Sequence, residues 1–494
     1  MINVFLNFAN IFRRPAALLL ISTVLLMLGT GCKKKSPSSG GSTSGITKIV
    51  WAIPDTIISY SPDYFNRLLK ENGLPYELEI KQIPVGETGD YCEEVEKSKN
   101  GGEQIDILYS DVVQLSVNEV PQVWFVKNGY CLPLSEYYGD EQWSKIKEVY
   151  PEKVLKAAEF DGVLYGLPTL SINPQKKILY WSKDYAEKYD LDMPAAKNDI
   201  SLLEKYADLV FRGEQAAGNK DFIVTLSKDL DLWVSDSAYF PISRFLALEE
   251  TENTIKAVPK YETDDFKRIN GIFERFADKG YLKDPEDYEN IDSLFEVVTV
   301  LSEAKFEAVH NPENKYDYTV LETMPLSYHY QFLQNSVASW SEHPDEAFTL
   351  LSHIMTDPEM SYALTWGEEG EDYQIVDGTS DNSFESWAFQ NKLLAHPKIT
   401  DHSEQDELYA EIEEMDLSPI QGFIFDAETV KNESKAVVDY LMEQRNTYYE
   451  NELSGWTYLY NLDDFNKNMR QKGLQTVMDE ANRQLVEFLE QKEN

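Results

Sequence analysis

Beyond residue 45, apolar and polar positions follow two alternating periods. Ile46 to Ala52 is rich in Ile, Val and Trp and predicts a strand. Ser61-Pro62 then supplies a capping hydroxyl and a proline suited to the first helical position. Tyr64, Phe65, Leu68 and Leu69 follow at helical spacing, and Gly73 ends that helix. Tyr76 to Val85 reads as a second strand, Glu93 to Lys99 as a short polar helix, and Ile105 to Tyr109 as a third strand. Strand–helix–strand alternation predicts a parallel sheet with helices on its faces, where ligands sit beyond the carboxyl ends of the strands. Later segments are richer in helix. Pro344 to Met355 places Ala347, Leu350, Leu351 and Ile354 on one face. Val430, Val437, Val438, Leu441 and Met442 form a second stripe, and Val477, Ala481, Leu485, Phe488 and Leu489 a third. Such stripes face a core. No repeat with a period of 20–50 residues is present, which argues against an adhesive array.

The first 31 residues follow a different pattern. Residues 1–15 carry no acid and include Arg13 and Arg14; an apolar run from Ala16 to Leu28 leads into Gly29-Thr30-Gly31-Cys32. A charged start, a short apolar segment and small residues before a cut site describe an export signal. At about 1.5 Å per residue the run reaches roughly 20 Å, short of a bilayer core of about 30 Å. Cys32 after a small residue makes this segment resemble the signal of bacterial lipoproteins, which implies acylation of Cys32, with Lys33-Lys34-Lys35 able to lie against anionic headgroups and Ser36 to Gly45 serving as a flexible tether.

Composition narrows the partners. Lys and Arg number 45 against 86 Asp and Glu, a net charge of −41. That balance repels phosphate backbones and excludes nucleic acid as the expected partner. A chain of 494 residues suggests more than one core. Besides Cys32 the chain has Cys92 and Cys131, between which export would permit a disulfide. The six histidines show no His-x-x-x-His pair and the cysteines no Cys-x-x-Cys; no Gly-x-Ser-x-Gly elbow or phosphate loop occurs. No metal and no cofactor are expected.

Several separated segments carry a resemblance. They are Ile105-Asp106-Ile107-Leu108-Tyr109-Ser110-Asp111, then Asn128 to Tyr137 with its Pro133-Leu134 pair, then Asp161-Gly162-Val163-Leu164-Tyr165-Gly166-Leu167-Pro168, then Ser339 to Ala347 and Thr356-Asp357-Pro358-Glu359. In this order they resemble bacterial extracellular solute-binding proteins of ABC importers, chiefly the large sugar-binding group. Trp366 to Tyr373, Gly422 to Asp426 and the tail from Gly473 to Phe488 are similar to a lipoprotein subgroup with a distinctive C-terminal domain. The resemblance implies an α/β, two-lobed periplasmic-binding-protein-like fold with a hinge, an interlobe cleft and a helix-rich C-terminal part. It divides the chain into a signal peptide (1–31), a lipidated cysteine and linker (32–45), a first lobe (46–166 and 325–372) and a second lobe (167–324 and 373–494). Hinge closure would bury the ligand, and the closed form would engage a membrane permease. A monomer held to the membrane by its lipid is expected, with no catalytic residue.

A sugar ring needs an aromatic platform and planar polar partners. Rings beside polar residues in predicted loops are the candidates. Trp51 and Asp55 lie at the end of the first strand, and Tyr109 and Asp111 close the third. Trp233 and Asp236 fall in a polar–aromatic stretch, and Trp340 and Trp366 lie near the return crossover. A binding protein for peptides or polyamines is the competing reading, since an acidic surface suits a cation. A glycoside hydrolase is the other; it needs two carboxylates roughly 5–10 Å apart, which the sequence does not locate.

Overall fold

A computed structural model describes residues 45–57, 59–85, 91–110, 121–170, 176–219, 222–225, 233, 239–241, 245–251, 254–281, 292–300, 302–323, 332–376, 379–380, 386–418, 420–450 and 461–492. Ile46–Asn494 forms one compact unit. Its first sheet has five strands in the spatial order Tyr76–Ile83, Thr47–Pro54, Ile107–Tyr109, Gln334–Val337, Leu167–Pro168. The first three are parallel, as their alternation with helices predicts. Gln334–Val337 runs antiparallel to both its neighbours. The predicted helix after the first strand is Asp63–Glu71, with Pro62 itself at the cap and the Ser61 hydroxyl accepting from the Asp63 amide at 3.3 Å.

Alternate residues of these strands face opposite sides. Ile49, Trp51, Ile53, Ile107, Tyr109 and Val337 enter a large core with helices Asp63–Glu71, Glu141–Val149, Pro344–Thr356 and Pro358–Thr365. Ala52, Leu108 and Ala338 enter a smaller one with helices Tyr91–Asn100 and Pro121–Lys127. Ala347, Leu350, Leu351 and Ile354 are buried in the large core, as their stripe predicts.

A second core lies around Lys176–Ser182, which pairs antiparallel with Phe295–Val300 on one side and Tyr316–Thr323 on the other. Helices Lys183–Tyr189, Leu202–Ala217 and Asp264–Asp278 bury Tyr185, Leu203, Tyr206, Val210, Phe266, Phe273 and Phe276 against it. Lys177 and Glu322, on neighbouring strands, form an ion pair at 3.0 Å with side chains 3% and 8% exposed. A third core is the C-terminal part. Strands Tyr239–Pro241, Leu246–Thr251 and Thr254–Pro259 carry helices Lys431–Glu450, Leu462–Gln471 and Leu474–Lys492. Phe245, Leu246 and Ala257 meet Val437, Val438, Phe465, Met469, Val477 and Ala481 there.

Among the described residues the chain leaves the first core for the second after Leu170, is back in the first core at Val337 and leaves it again after Met415. Ala388, Phe389, Leu408, Ile412 and Met415 all pack in the first core. Leu408 and Ile412, four apart on helix Ser403–Glu414, form the buried stripe that keeps this helix on the first side.

Candidate functional site

The carboxyl ends of the parallel strands meet the passages between cores, so this edge is where the fold would hold a guest. Asp55, just past the first strand, is exposed. Its backbone amide donates to Ile83 O at 2.9 Å and its Oδ1 accepts from the Val85 amide at 3.2 Å. One short side chain thereby ties together the loops leaving the first two strands. Ser110, just past the third strand, donates from Oγ to Phe332 O at 2.7 Å and accepts from the Gln334 amide at 3.1 Å. It locks the returning passage to the strand edge.

The return strand is polar and wholly buried. Gln122 donates from Nε2 to Gln334 Oε1 (3.1 Å) and Ser336 Oγ (3.0 Å), and Gln334 Nε2 donates to Ala158 O at 2.7 Å. Asn335 donates to Ala388 O at 2.7 Å and accepts from Trp51 Nε1 at 3.0 Å. Every one of these bonds is made inside protein, where a missing partner costs most. The outgoing strand lies directly alongside: a Cβ at Gly166 would stand 2.4 Å from Ser336 Oγ and 2.8 Å from Asn335 O. Glycine is what allows that approach.

The residues singled out in the sequence take different positions. Trp51 is fully buried, with Phe389 edge-on to its ring at 4.8 Å, so it braces the edge from beneath. Tyr109 is buried in the same core. Trp233 is buried in the second core against Phe273 and Phe295. Trp366 is nearly buried, stacked on His396 at 5.4 Å and flanked by Tyr362 and Tyr373. Trp340 is half-buried beside Tyr130, with Lys99 Nζ 4.9 Å from its ring centre. Because the return strand is antiparallel, Trp340 stands past the amino end of the sheet, on the side away from Tyr109. Asp111 and Asp236 lie outside the described residues. So does Cys32; Cys92 and Cys131 are both buried and unbridged.

The sequence reading passed over Trp387. It opens a short helical turn, Trp387–Phe389, whose next two residues are buried against Trp51 and Asn335 near the carboxyl edge. The indole itself is 41% exposed. An exposed tryptophan followed by Ala-Phe-Gln is a weak signal, since only the placement of Phe389 under the edge brings it to the site. Around Trp366 the charges are paired: Arg67 with Glu368 and Lys398 with Glu369. Partial burial, together with Glu359 and Glu368, raises the Tyr64 hydroxyl above its ordinary value. His396 accepts at Nδ1 from the Lys398 amide (3.1 Å) and meets Tyr373 Oη at Nε2 (2.8 Å). Burial holds its pKa below the ordinary histidine value. Among the described residues, no group of three His, Cys, Asp or Glu is placed to hold a metal ion.

Comparison with known proteins bears on the fold. Residues 419–490 match a family described as a domain of unknown function, DUF3502. A Streptococcus pneumoniae protein named carbohydrate ABC transporter substrate-binding protein is 21% identical over 441 residues, covering 84% of this chain and 85% of the relative. The crystal structure of the N-glycan transport solute binding protein NgtS from S. pneumoniae superposes with a TM-score of 0.64 at 18% identity, covering 90% of this chain and 100% of the other. An extracellular solute-binding protein from Bifidobacterium longum subsp. infantis gives 0.55 at 14% identity, over 90% and 99% of the two chains. The chain therefore has the two-lobed α/β fold of these solute-binding proteins, as the resemblance implied.

Proposed function

We propose that this protein captures a sugar or oligosaccharide between its two lobes and delivers it, chemically unchanged, to a membrane permease. The observation that carries the reading is the exposed Trp387, held at the carboxyl edge by buried neighbours that pack against Trp51 and Asn335: an exposed aromatic face is the apolar platform a sugar ring needs. Asp55, exposed just past the first strand, is the carboxylate we propose joins it. Trp51 and Tyr109 act as the scaffold under that edge. The named relatives point the same way. NgtS has been solved in complex with Man1GlcNAc and with Man5GlcNAc, and the curated S. pneumoniae relative is named for carbohydrate. Acylation at Cys32, followed by the basic triplet and the Ser/Gly tether, would hold a monomer at the outer face of the membrane.

A thermal-shift and calorimetric screen of the chain from Cys32 onward tests this, using Man5GlcNAc, shorter glycans, peptides and polyamines. A glycan at about 100 times its dissociation constant stabilises by about 2.7 kcal/mol. Trp387→Ala is expected to weaken glycan binding at least tenfold with little loss of stability. Stabilisation by peptides or polyamines alone would refute the sugar reading, and release of reducing ends would replace it with hydrolysis. For the anchor, Cys32→Ser is expected to abolish incorporation of labelled fatty acid.

A further inference from the structure

The C-terminal helices are fixed to the second lobe and only touch the first. Towards the second lobe the attachment is apolar and multiple. Besides the third core, Asn482 clasps both the amide and the carbonyl of Ala257 at 2.9 Å each. Asn466 donates to Tyr261 O at 3.0 Å, and Arg470 forms a forked pair with Glu262. Strand Thr254–Pro259 leads through Tyr261 into helix Asp264–Asp278, which belongs to the second core. Unit and lobe therefore move as one body.

Towards the first lobe the attachment is polar. Lys127 Nζ meets Asp426 Oδ1 at 2.7 Å, with both side chains partly open to water. Gln421 donates to Lys156 O close to the third passage between cores. Asp426 is held firmly on its own side: the Gln484 side chain accepts from its amide (2.8 Å) and donates to its carbonyl (2.7 Å). Its Oδ1 also accepts from the Glu428 amide at 2.9 Å. Lys127 ends helix Pro121–Lys127, whose Gln122 side chain grips the return strand. That end lies at the amino edge of the sheet, where Gly129 O accepts from Ser339 Oγ at 2.6 Å and Ala338 donates to Asp106 O at 2.9 Å. The first two passages cross at the opposite, carboxyl edge, where Thr169 donates to Leu333 O.

We propose that the 419–490 unit is an interlobe tie: its Asp426–Lys127 pair holds the lobes in the conformation described here and must part when they close over the carboxyl edge. The lever is geometric. A rotation that brings the second lobe over one edge of the sheet carries its C-terminal helices away from the other. The tie thus sets the fraction of molecules ready to close, and with it the apparent affinity. It assigns a task to the region that matches a family described as a domain of unknown function, and it rests on the reading that the lobes close on a guest.

Small-angle scattering of the ligand-free chain from Cys32 onward, followed by titration with Man5GlcNAc, tests the tie. Lys127→Ala and Asp426→Asn are each expected to reduce the ligand-free radius of gyration and to tighten glycan binding roughly two- to fivefold. Gln484→Leu, which frees Asp426 without removing it, is expected to act in the same direction. The swapped pair K127D/D426K is expected to restore wild-type scattering. Lys435→Ala, which breaks an exposed pair with Asp439 within one helix, serves as the control that changes nothing. Superimposable ligand-free curves for wild type and both single variants overturn the tie. A chain that no glycan binds overturns the proposed function instead, while the ligand-free scattering still decides the tie.

Discussion

The return strand Gln334–Val337 and the Lys127–Asp426 contact are both polar joints, yet they sit in opposite surroundings. Every side-chain polar partner of Asn335 is buried with it, including the Trp51 indole and the Ala388 carbonyl. Asp426 and Lys127 each keep a share of water. A bond made in the dry interior leaves an orphan when cut, so it fixes a single geometry. An ion pair made at the surface is nearly balanced by hydration, so it can be made and broken at little cost. The inner joint suits a rigid edge against which a guest is held; the outer one suits a contact that has to come and go.

The contrast can be broken from the inside first. Asn335→Leu keeps the volume but strands the indole N–H and a buried carbonyl, and is expected to cost about 3 kcal/mol. A urea midpoint that falls by less than a third of that would show the network to be replaceable. Gly166→Ala drives a methyl into Ser336 and the Asn335 carbonyl, with an expected loss of about 2 kcal/mol in the same measurement.

His396 sharpens the comparison, being a buried polar group that can change its charge. Nδ1 already accepts a bond, so the ring is suited to staying neutral; Glu369 and Lys398, paired with each other, are its charged neighbours. Its folded pKa lies below the unfolded value of about 6.5. Above that pH both states are neutral and the group adds no slope. Below it the unfolded chain takes the proton first, so stability declines with acidification until the folded ring also titrates. Denaturation midpoints measured between pH 7 and 5 should show this slope, and His396→Phe should flatten it. The smallest effect belongs to the outer joint: Asp426→Asn is expected to change stability by less than about 1 kcal/mol, whatever it does to conformation.

The local periodicity made much of this readable. Ile46 to Ala52 and Tyr76 to Val85 became the first two strands within a few residues, and the helical stripes Ala347–Ile354 and Val430–Val438 went into cores. Long-range pairing was less readable. Nothing in Gln334-Asn335-Ser336-Val337 looks like a central strand, because three of its four residues are polar. Only partners as distant as Trp51 and Gln122 make that segment buriable. The same gap hides where helix Ser403–Glu414 packs. Leu408 and Ile412 form too narrow a stripe to say which core they join. Ring chemistry picked out Trp51, Tyr109 and Trp233 by their polar neighbours in sequence, whereas burial depends on neighbours in space. Trp387 shows the reverse: it has no distinguishing sequence context but stands half in water at the strand ends.

The position of the return strand also constrains how the chain can be built. Gln334–Val337 lies between Ile107–Tyr109 and Leu167–Pro168, so the first sheet stays split into separate pieces until residue 337 has been synthesised. Its core stays unfinished until Met415 follows. Contacts that span so much sequence form slowly. A polypeptide whose leading lobe cannot settle before most of its length exists remains threadable for longer, which suits passage through a membrane pore before folding.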